Sequence, residues 1–175
     1  TLADYEFEAI DAVSWAPCLI PGRLQTMDYA AAVMELYGIS QDVIGARIAA
    51  RRERQRALAD KPYTVFIGMA ALRAKVGGPR VMAAQLDALL GRNDVKILVV
   101  PDTAAHLGQL GAFLLLRFLD ATFVVHVELL GSGVVHDTQE LTSLYDLAVT
   151  QIASVALGET QSAHAIESIR KELKG

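Results

Sequence analysis

Three short apolar runs follow one another after Gly111 with almost no chain between them: Ala112 to Phe118, Thr122 to Leu130 and Val134 to Asp137. Only Leu119-Asp120-Ala121 and Gly131-Ser132-Gly133 separate them, and gaps that short hold turns, not helices. Strands joined by tight turns pair antiparallel, because a parallel return needs a long crossover. Two earlier runs also read as strands. Tyr63 to Ile67 is rich in β-branched and aromatic residues, and Val95 to Val100 is apolar apart from Lys96 and is stopped by Pro101. The expectation is an α+β domain, a mainly antiparallel sheet of about five strands packed with amphipathic helices.

Punctuation and periodicity place the helices. An amphipathic segment runs from Leu2 to Trp15, and Pro17 and Pro21 break it. Thr26 is a natural N-cap for a helix from Met27 to Tyr37 that Gly38 ends. A second helix from Gln41 to Asp60 closes before Lys61-Pro62. Gly77-Gly78-Pro79 is the sharpest break in the chain, with a glycine suited to αL and a proline suited to a first helical turn. The helix it opens carries Val81, Leu86, Leu89 and Leu90 as its apolar stripe. Thr138 to about Leu157 shows Leu141, Leu144, Tyr145, Ala148, Ile152 and Val155 at helical spacing, and Thr160 to Leu173 repeats with Ile166, Ile169 and Leu173. No linker or repeat divides the 175 residues, so residues 1–175 read as one domain.

Composition excludes several classes. At 53% hydrophobic the chain can fill a core and is not disordered. Its net charge of −4 argues against a free-standing nucleic-acid binder. One cysteine rules out an internal disulfide framework and a Cys-rich zinc site and fits a reducing cytoplasm. No apolar run approaches the length of a membrane span. The expected location is cytoplasmic, with no membrane partner.

The helix from Gln41 to Asp60 carries the densest polar chemistry. Ile44, Ile48, Gln55 and Leu58 share one face, with Arg51 in its middle and Arg47 and Arg54 beside it. One reading is a solvated basic helix. The sharper one turns Arg51, Arg54 and Gln55 inward, presenting guanidinium forks to a buried acid or an anionic ligand. A buried arginine needs such a partner.

The histidines admit a metal reading. With a loop at Gly131 to Gly133, Leu130 faces Val134, Glu128 faces His136, and His126, Glu128 and His136 form a two-His-one-carboxylate set. A one-residue slip destroys it, and solvent-facing or hydrogen-bonded histidines are the plainer reading. Cys18, between two prolines, reads as a small buried residue. His106 reads as a loop residue, His164 as a surface residue, and Asp102 and Thr103 as a turn or helix cap. There is no G-x-G-x-x-G, P-loop, G-x-S-x-G or H-E-x-x-H motif. No cofactor is expected.

Pro21-Gly22-Arg23-Leu24-Gln25-Thr26 followed by Tyr29-Ala30 resembles the "PGLLQT…YA" signature of an actinobacterial domain family of unknown function. The resemblance continues in order through Arg51-x-x-Arg54-Gln55, Ala70-Ala71-Leu72-Arg73, Val76-Gly77-Gly78, Val81-Met82 with Gln85-Leu86, Val99-x-Pro101, and Val124-Val125-His126-Val127-Glu128. Arg23, Ala31, Met69 and His126 stand where the family usually has Leu, Arg, Glu and Tyr.

Such domains sit behind an Xre-type helix-turn-helix in transcriptional regulators, including those called Scr-type antitoxin-like. The resemblance therefore implies a non-enzymatic ligand-sensing or protein-interaction domain, acting on DNA only through an N-terminal domain that this chain does not contain. It implies as partners a second copy in a homodimer, a short protein encoded nearby, or a small-molecule ligand. The polar family positions Arg51, Arg54, Gln55, Gln25, Tyr29, Arg73 and Glu128 are the expected lining of the ligand or partner site, and Arg51→Ala is expected to abolish binding with the fold intact. The alternatives are an antitoxin-like module that docks a short partner without a small ligand and, more remotely, a small metal-dependent enzyme built on His126, Glu128 and His136.

Overall fold

The computed structural model describes residues 1–129 and 132–173. Among them six strands form one sheet: β1 (Asp11–Ala16), β2 (Tyr63–Gly68), β3 (Lys96–Val100), β4 (Phe113–Arg117), β5 (Phe123–Leu129) and β6 (Ser132–His136). Their spatial order is β3-β2-β1-β4-β5-β6. Strands β1, β2 and β3 run parallel, whereas β1–β4, β4–β5 and β5–β6 are antiparallel. The expectation of a mainly antiparallel sheet of five strands is therefore overturned: the α+β sheet is mixed and has six.

The missing strand is β1, hidden in the stretch read as a single amphipathic segment. The first helix, α1 (Leu2–Glu8), ends at Ala9 in an extended conformation, and the chain re-enters as a strand at Asp11. β1 lies between β2 and β4 with both faces covered. It therefore lacks the polar alternation of a half-exposed strand. The parallel half follows from its connections. Helices α2 (Met27–Leu36) and α3 (Gln41–Ala57) lie between β1 and β2, and α4 (Met69–Arg73) and α5 (Gly78–Leu90) lie between β2 and β3. Connections of that length return a strand in parallel.

The two faces of the sheet bury separate cores. On one, Ala12, Val65, Ile67, Val99, Leu116 and Val124 pack with Tyr29, Val33, Leu72, Met82 and Leu86 from α2, α4 and α5. Ile166 and Ile169 of α7 (Glu159–Glu172) join them. On the other, Val13, Trp15, Phe66, Val100, Leu115 and Val125 pack with Ala148 and Ile152 of α6 (Gln139–Val155). Each of the valines, leucines, isoleucines, phenylalanine and methionine among them contributes roughly 1.5–3 kcal/mol by leaving water.

The corner between α6 and α7, bent by 76°, wraps the β3 edge. There the Leu157 N–H donates to the Val99 carbonyl at 2.8 Å, and the Val99 N–H donates to the Ser162 hydroxyl at 2.9 Å. One sheet edge is closed in this way, and the last helices carry the chain from one face to the other.

Two glycines do work that other residues cannot. Gly77, at φ 65°, precedes α5, and a Cβ there would come within 2.9 Å of the Val81 side chain. Gly108 sits in a 3₁₀ turn, Leu107–Leu110, whose carbonyl at Gly108 accepts from Trp15 Nε1 at 2.6 Å. A Cβ at Gly108 would meet Ile152 Cδ1 at 2.7 Å and Trp15 Nε1 at 2.8 Å. Among the described residues no single helix is long and apolar enough to cross a membrane.

Candidate functional site

The residues of the Pro21–Tyr29 signature form a bend, a 3₁₀ turn at Gly22–Leu24 followed by extended Gln25 and the α2 cap at Thr26. A bend of this kind exposes backbone groups that no ladder satisfies. Side chains from three directions satisfy them. Gln25 Nε2 donates to the Ile20 carbonyl at 2.7 Å, and the Ile20 N–H donates to the Tyr29 hydroxyl at 3.2 Å. Gln85 of α5, with no exposed surface, accepts from the Thr26 N–H at 2.8 Å and donates to the Leu24 carbonyl at 2.8 Å. From α3, Gln55 Nε2 donates to the carbonyls of Gly22 (2.7 Å) and Gln25 (3.0 Å), while Arg51 Nη1 donates to Gln25 Oε1.

This arrangement gathers Gln25, Tyr29, Arg51 and Gln55 around one loop, as the helical face of α3 required. Ile44 is the buried anchor of that face. Burial holds the Arg51 guanidinium below its usual pKa, opposed by the attraction of Glu128 and reinforced by the repulsion of Arg54. Burial also raises the Tyr29 hydroxyl, partly offset by its bond from Ile20.

Arg54 reaches elsewhere: its Nε and Nη2 each lie 2.7 Å from Glu6 Oε2, and Glu6 is only 5% exposed. The acid is the buried member of this pair, and Arg54 itself stays exposed, not turned inward. Glu128 stands exposed on β5, its field felt at Arg51 without an ion pair between them. Arg73, at the end of α4, is exposed and takes no part in the loop. The structure thus brings four of the seven expected positions together, sets Arg54 and Glu128 beside them, and leaves Arg73 apart.

Gln55 holds backbone carbonyls of the loop and Arg51 holds the Gln25 side chain, so Arg51→Ala removes a loop contact as well as any ligand contact.

Four residues of this neighbourhood had no role in the sequence reading. Glu6 and Gln85 are the buried polar partners just described. Arg23 donates Nη2 to the carbonyls of Leu58 (2.6 Å) and Lys61 (3.3 Å), satisfying the C-terminal end of α3. Its guanidinium lies 4.1 Å from the ring centroid of Tyr63. Tyr63 in turn donates to Ser14 Oγ at 2.8 Å, and burial pushes its hydroxyl up to about 12. Arg23 was legible as a departure from the family pattern; a long cation two residues after a proline otherwise looks like surface.

The metal reading fails on register. His126 pairs with Val135, Glu128 with Gly133, and His136 with Val125. His136 therefore belongs to the face opposite His126 and Glu128, where it stacks on Tyr145 of α6 with ring centroids 6.0 Å apart. The expected turn began at Gly131, and Leu130 and Gly131 lie outside the described residues; Ser132 and Gly133 belong to β6. No group of three His, Cys, Asp or Glu among the described residues is placed to hold a metal ion.

Cys18 is exposed, not buried. His106 packs edge-on against Trp15, ring centroids 5.1 Å apart, with no hydrogen-bond partner at its buried Nδ1. Asp102, Thr103 and His164 are exposed.

Exposed apolar side chains are spread over the molecule, with Leu119 at 89%, Leu36 at 73% and Phe7 at 66%, and five more lie on α6 and the 3₁₀ turn. Leu110 is 91% exposed and Leu144 56%, and Leu107, Leu141 and Leu147 are also open to solvent. The 3₁₀ turn packs on α6, and the Leu107 N–H donates to Gln151 Oε1 at 2.9 Å. Leu107 and Leu110 thus stand on a turn that packs against the helix carrying Leu141, Leu144 and Leu147.

Neither the curated proteins nor the solved structures contain a match to the chain. Residues 1–168 match the family described as "Domain of unknown function (DUF5753)". With nearly its whole length matched, this chain belongs to that family.

Proposed function

We propose that the domain acts by binding and not by catalysis, as the C-terminal interaction domain of an actinobacterial helix-turn-helix transcriptional regulator. What it binds is another polypeptide. The supporting observation is the exposed leucine surface formed by α6 and the 3₁₀ turn at Leu107–Leu110. Apolar groups held in water on a helix and its neighbouring turn carry a cost that docking removes. The polar family positions support the same reading, since Gln25, Tyr29, Arg51 and Gln55 mainly hold the signature loop together.

Size-exclusion chromatography with light scattering tests this, on the chain alone and mixed with a synthetic amphipathic helical peptide. A complex or a self-associated species that Leu144→Ser abolishes is the expected result. A monomer that binds nothing under both conditions overturns it.

A second reading, capture of a small anionic ligand, is favoured by the half-buried Arg51, whose guanidinium pairs with no carboxylate among the described residues. Native mass spectrometry then shows an added small-molecule mass that denaturation removes; a bare chain mass from freshly purified protein counts against it.

A further inference from the structure

The leucine surface lies in a part of the molecule almost without positive charge. Between Lys96 and Arg170 the chain has eight carboxylates and one basic residue, Arg117. Arg117 is itself engaged, with Nη1 3.0 Å from Asp11 and Nη2 3.5 Å from Asp146. This segment supplies β4, β5, β6, the 3₁₀ turn at Leu107–Leu110 and α6. The charges left around the leucines are acidic. Asp137 precedes α6, Glu140 lies in its first turn, and Asp102 lies in the loop leading to the 3₁₀ turn, all exposed.

Along α6 the spacing is regular. Glu140, Leu144, Leu147 and Gln151 follow at intervals of four, three and four, so they form one stripe along the helix. The stripe starts with a carboxylate, continues with two exposed leucines and ends at the glutamine that holds the 3₁₀ turn. Leu107 and Leu110 belong to the turn that packs on this helix, and Leu141 is a further exposed leucine near the N-terminus of α6.

The geometry points to a specific occupant, and the inference rests on the interaction reading above: this surface receives an amphipathic helix of another polypeptide, with leucine-like residues on one face and lysines or arginines at its flanks. The apolar face of the incoming helix covers the five leucines in the manner of helix-in-groove recognition. Its cations meet Asp137 and Glu140, which have no basic side chain of this chain within ion-pairing distance among the described residues. A second copy docking through the same surface brings carboxylates against carboxylates, which disfavours a symmetric pairing.

The test uses two synthetic amphipathic helical peptides with the same leucine face, one flanked by lysines and one by glutamates, titrated into the whole chain. The lysine-flanked peptide is expected to bind about tenfold more tightly, with the preference shrinking as salt rises. Leu144→Ser with Leu147→Ser removes that binding, and the melting temperature confirms that the variant is folded. Asp137→Lys with Glu140→Lys reverses the preference toward the glutamate-flanked peptide.

Equal binding of the two peptides, or binding that survives the leucine replacements, overturns the inference. A dimer that Leu144→Ser dissociates, with neither peptide bound, overturns it too but leaves the interaction reading standing. No peptide binding and no self-association sinks both.

Discussion

Gln85 has the most consequential side chain in the signature loop, because it satisfies a donor and an acceptor of the same bend from a site with no solvent. Replacing it by leucine keeps the approximate volume and leaves the Thr26 N–H and the Leu24 carbonyl without partners. An unsatisfied buried group costs about 1–3 kcal/mol, so Gln85→Leu is expected to lower stability by roughly 2–4 kcal/mol, read from the urea midpoint at unchanged slope.

Tyr63 makes a pH-dependent contribution. Its folded-state pKa is raised from 10.0 to about 12, chiefly by burial, against the lowering influence of Ser14 and Arg23. The folded state therefore holds the phenolic proton more tightly than the unfolded chain. The stabilisation is fully present below pH 10 and fades as pH rises toward 12. Tyr63→Phe is expected to flatten the alkaline decline in stability, an effect on the order of 2–3 kcal/mol for two pKa units. Urea midpoints of the two proteins at neutral pH and above pH 10 read it; parallel declines contradict it.

Among the elements, the 3₁₀ turn at Leu107–Leu110 depends most on a single position. It is held by the indole of Trp15 from β1 and the Gln151 side chain from α6. Gly108 fits only because a hydrogen replaces a side chain 2.7 Å from Ile152 Cδ1. Gly108→Ala is expected to displace the turn, shift the emission of Trp15 (the single tryptophan), and destabilise by about 1–3 kcal/mol, the usual range for overpacking. Unchanged emission and stability would show that the turn gives way freely.

α3 illustrates what periodicity can and cannot say about an element. The shared face of Ile44, Ile48, Arg51 and Gln55 was readable at 100° per residue, and the structure places Arg51 and Gln55 on the loop. That Gln25 and the loop carbonyls would occupy them was not readable, because the partners lie about thirty residues away. Arg54 shows the same limit, since Glu6 is 48 residues distant and sits in a helix with no visible motif.

At the scale of the whole molecule, the sheet divides two kinds of work. One face is covered by α2, α4, α5 and α7 and holds the larger core; the other is covered by α6 and the 3₁₀ turn. The α6–α7 corner ties the faces together by occupying the Val99 backbone groups at the β3 edge. The charge is divided as well, with the arginines concentrated on α3 and carboxylates predominating from β4 to α6. A net charge of −4 conceals that division.

The sequence by itself determined most of the local elements: five of the strands, the helices α2, α3, α5, α6 and α7, the glycine-marked entry to α5 and the residues that share one face of α3. These depend on periodicity, capping and turn chemistry, which act over a few residues. The tertiary structure decided what depends on distant pairing. It made β1 a central strand with parallel neighbours, and set the β5–β6 register that parts His136 from His126 and Glu128. It also filled the signature loop with Gln85, Gln55 and Arg51. A strand buried on both faces loses its alternation, a register shift of an odd number of residues reverses every side chain, and a buried polar group is satisfied by whatever the fold brings beside it.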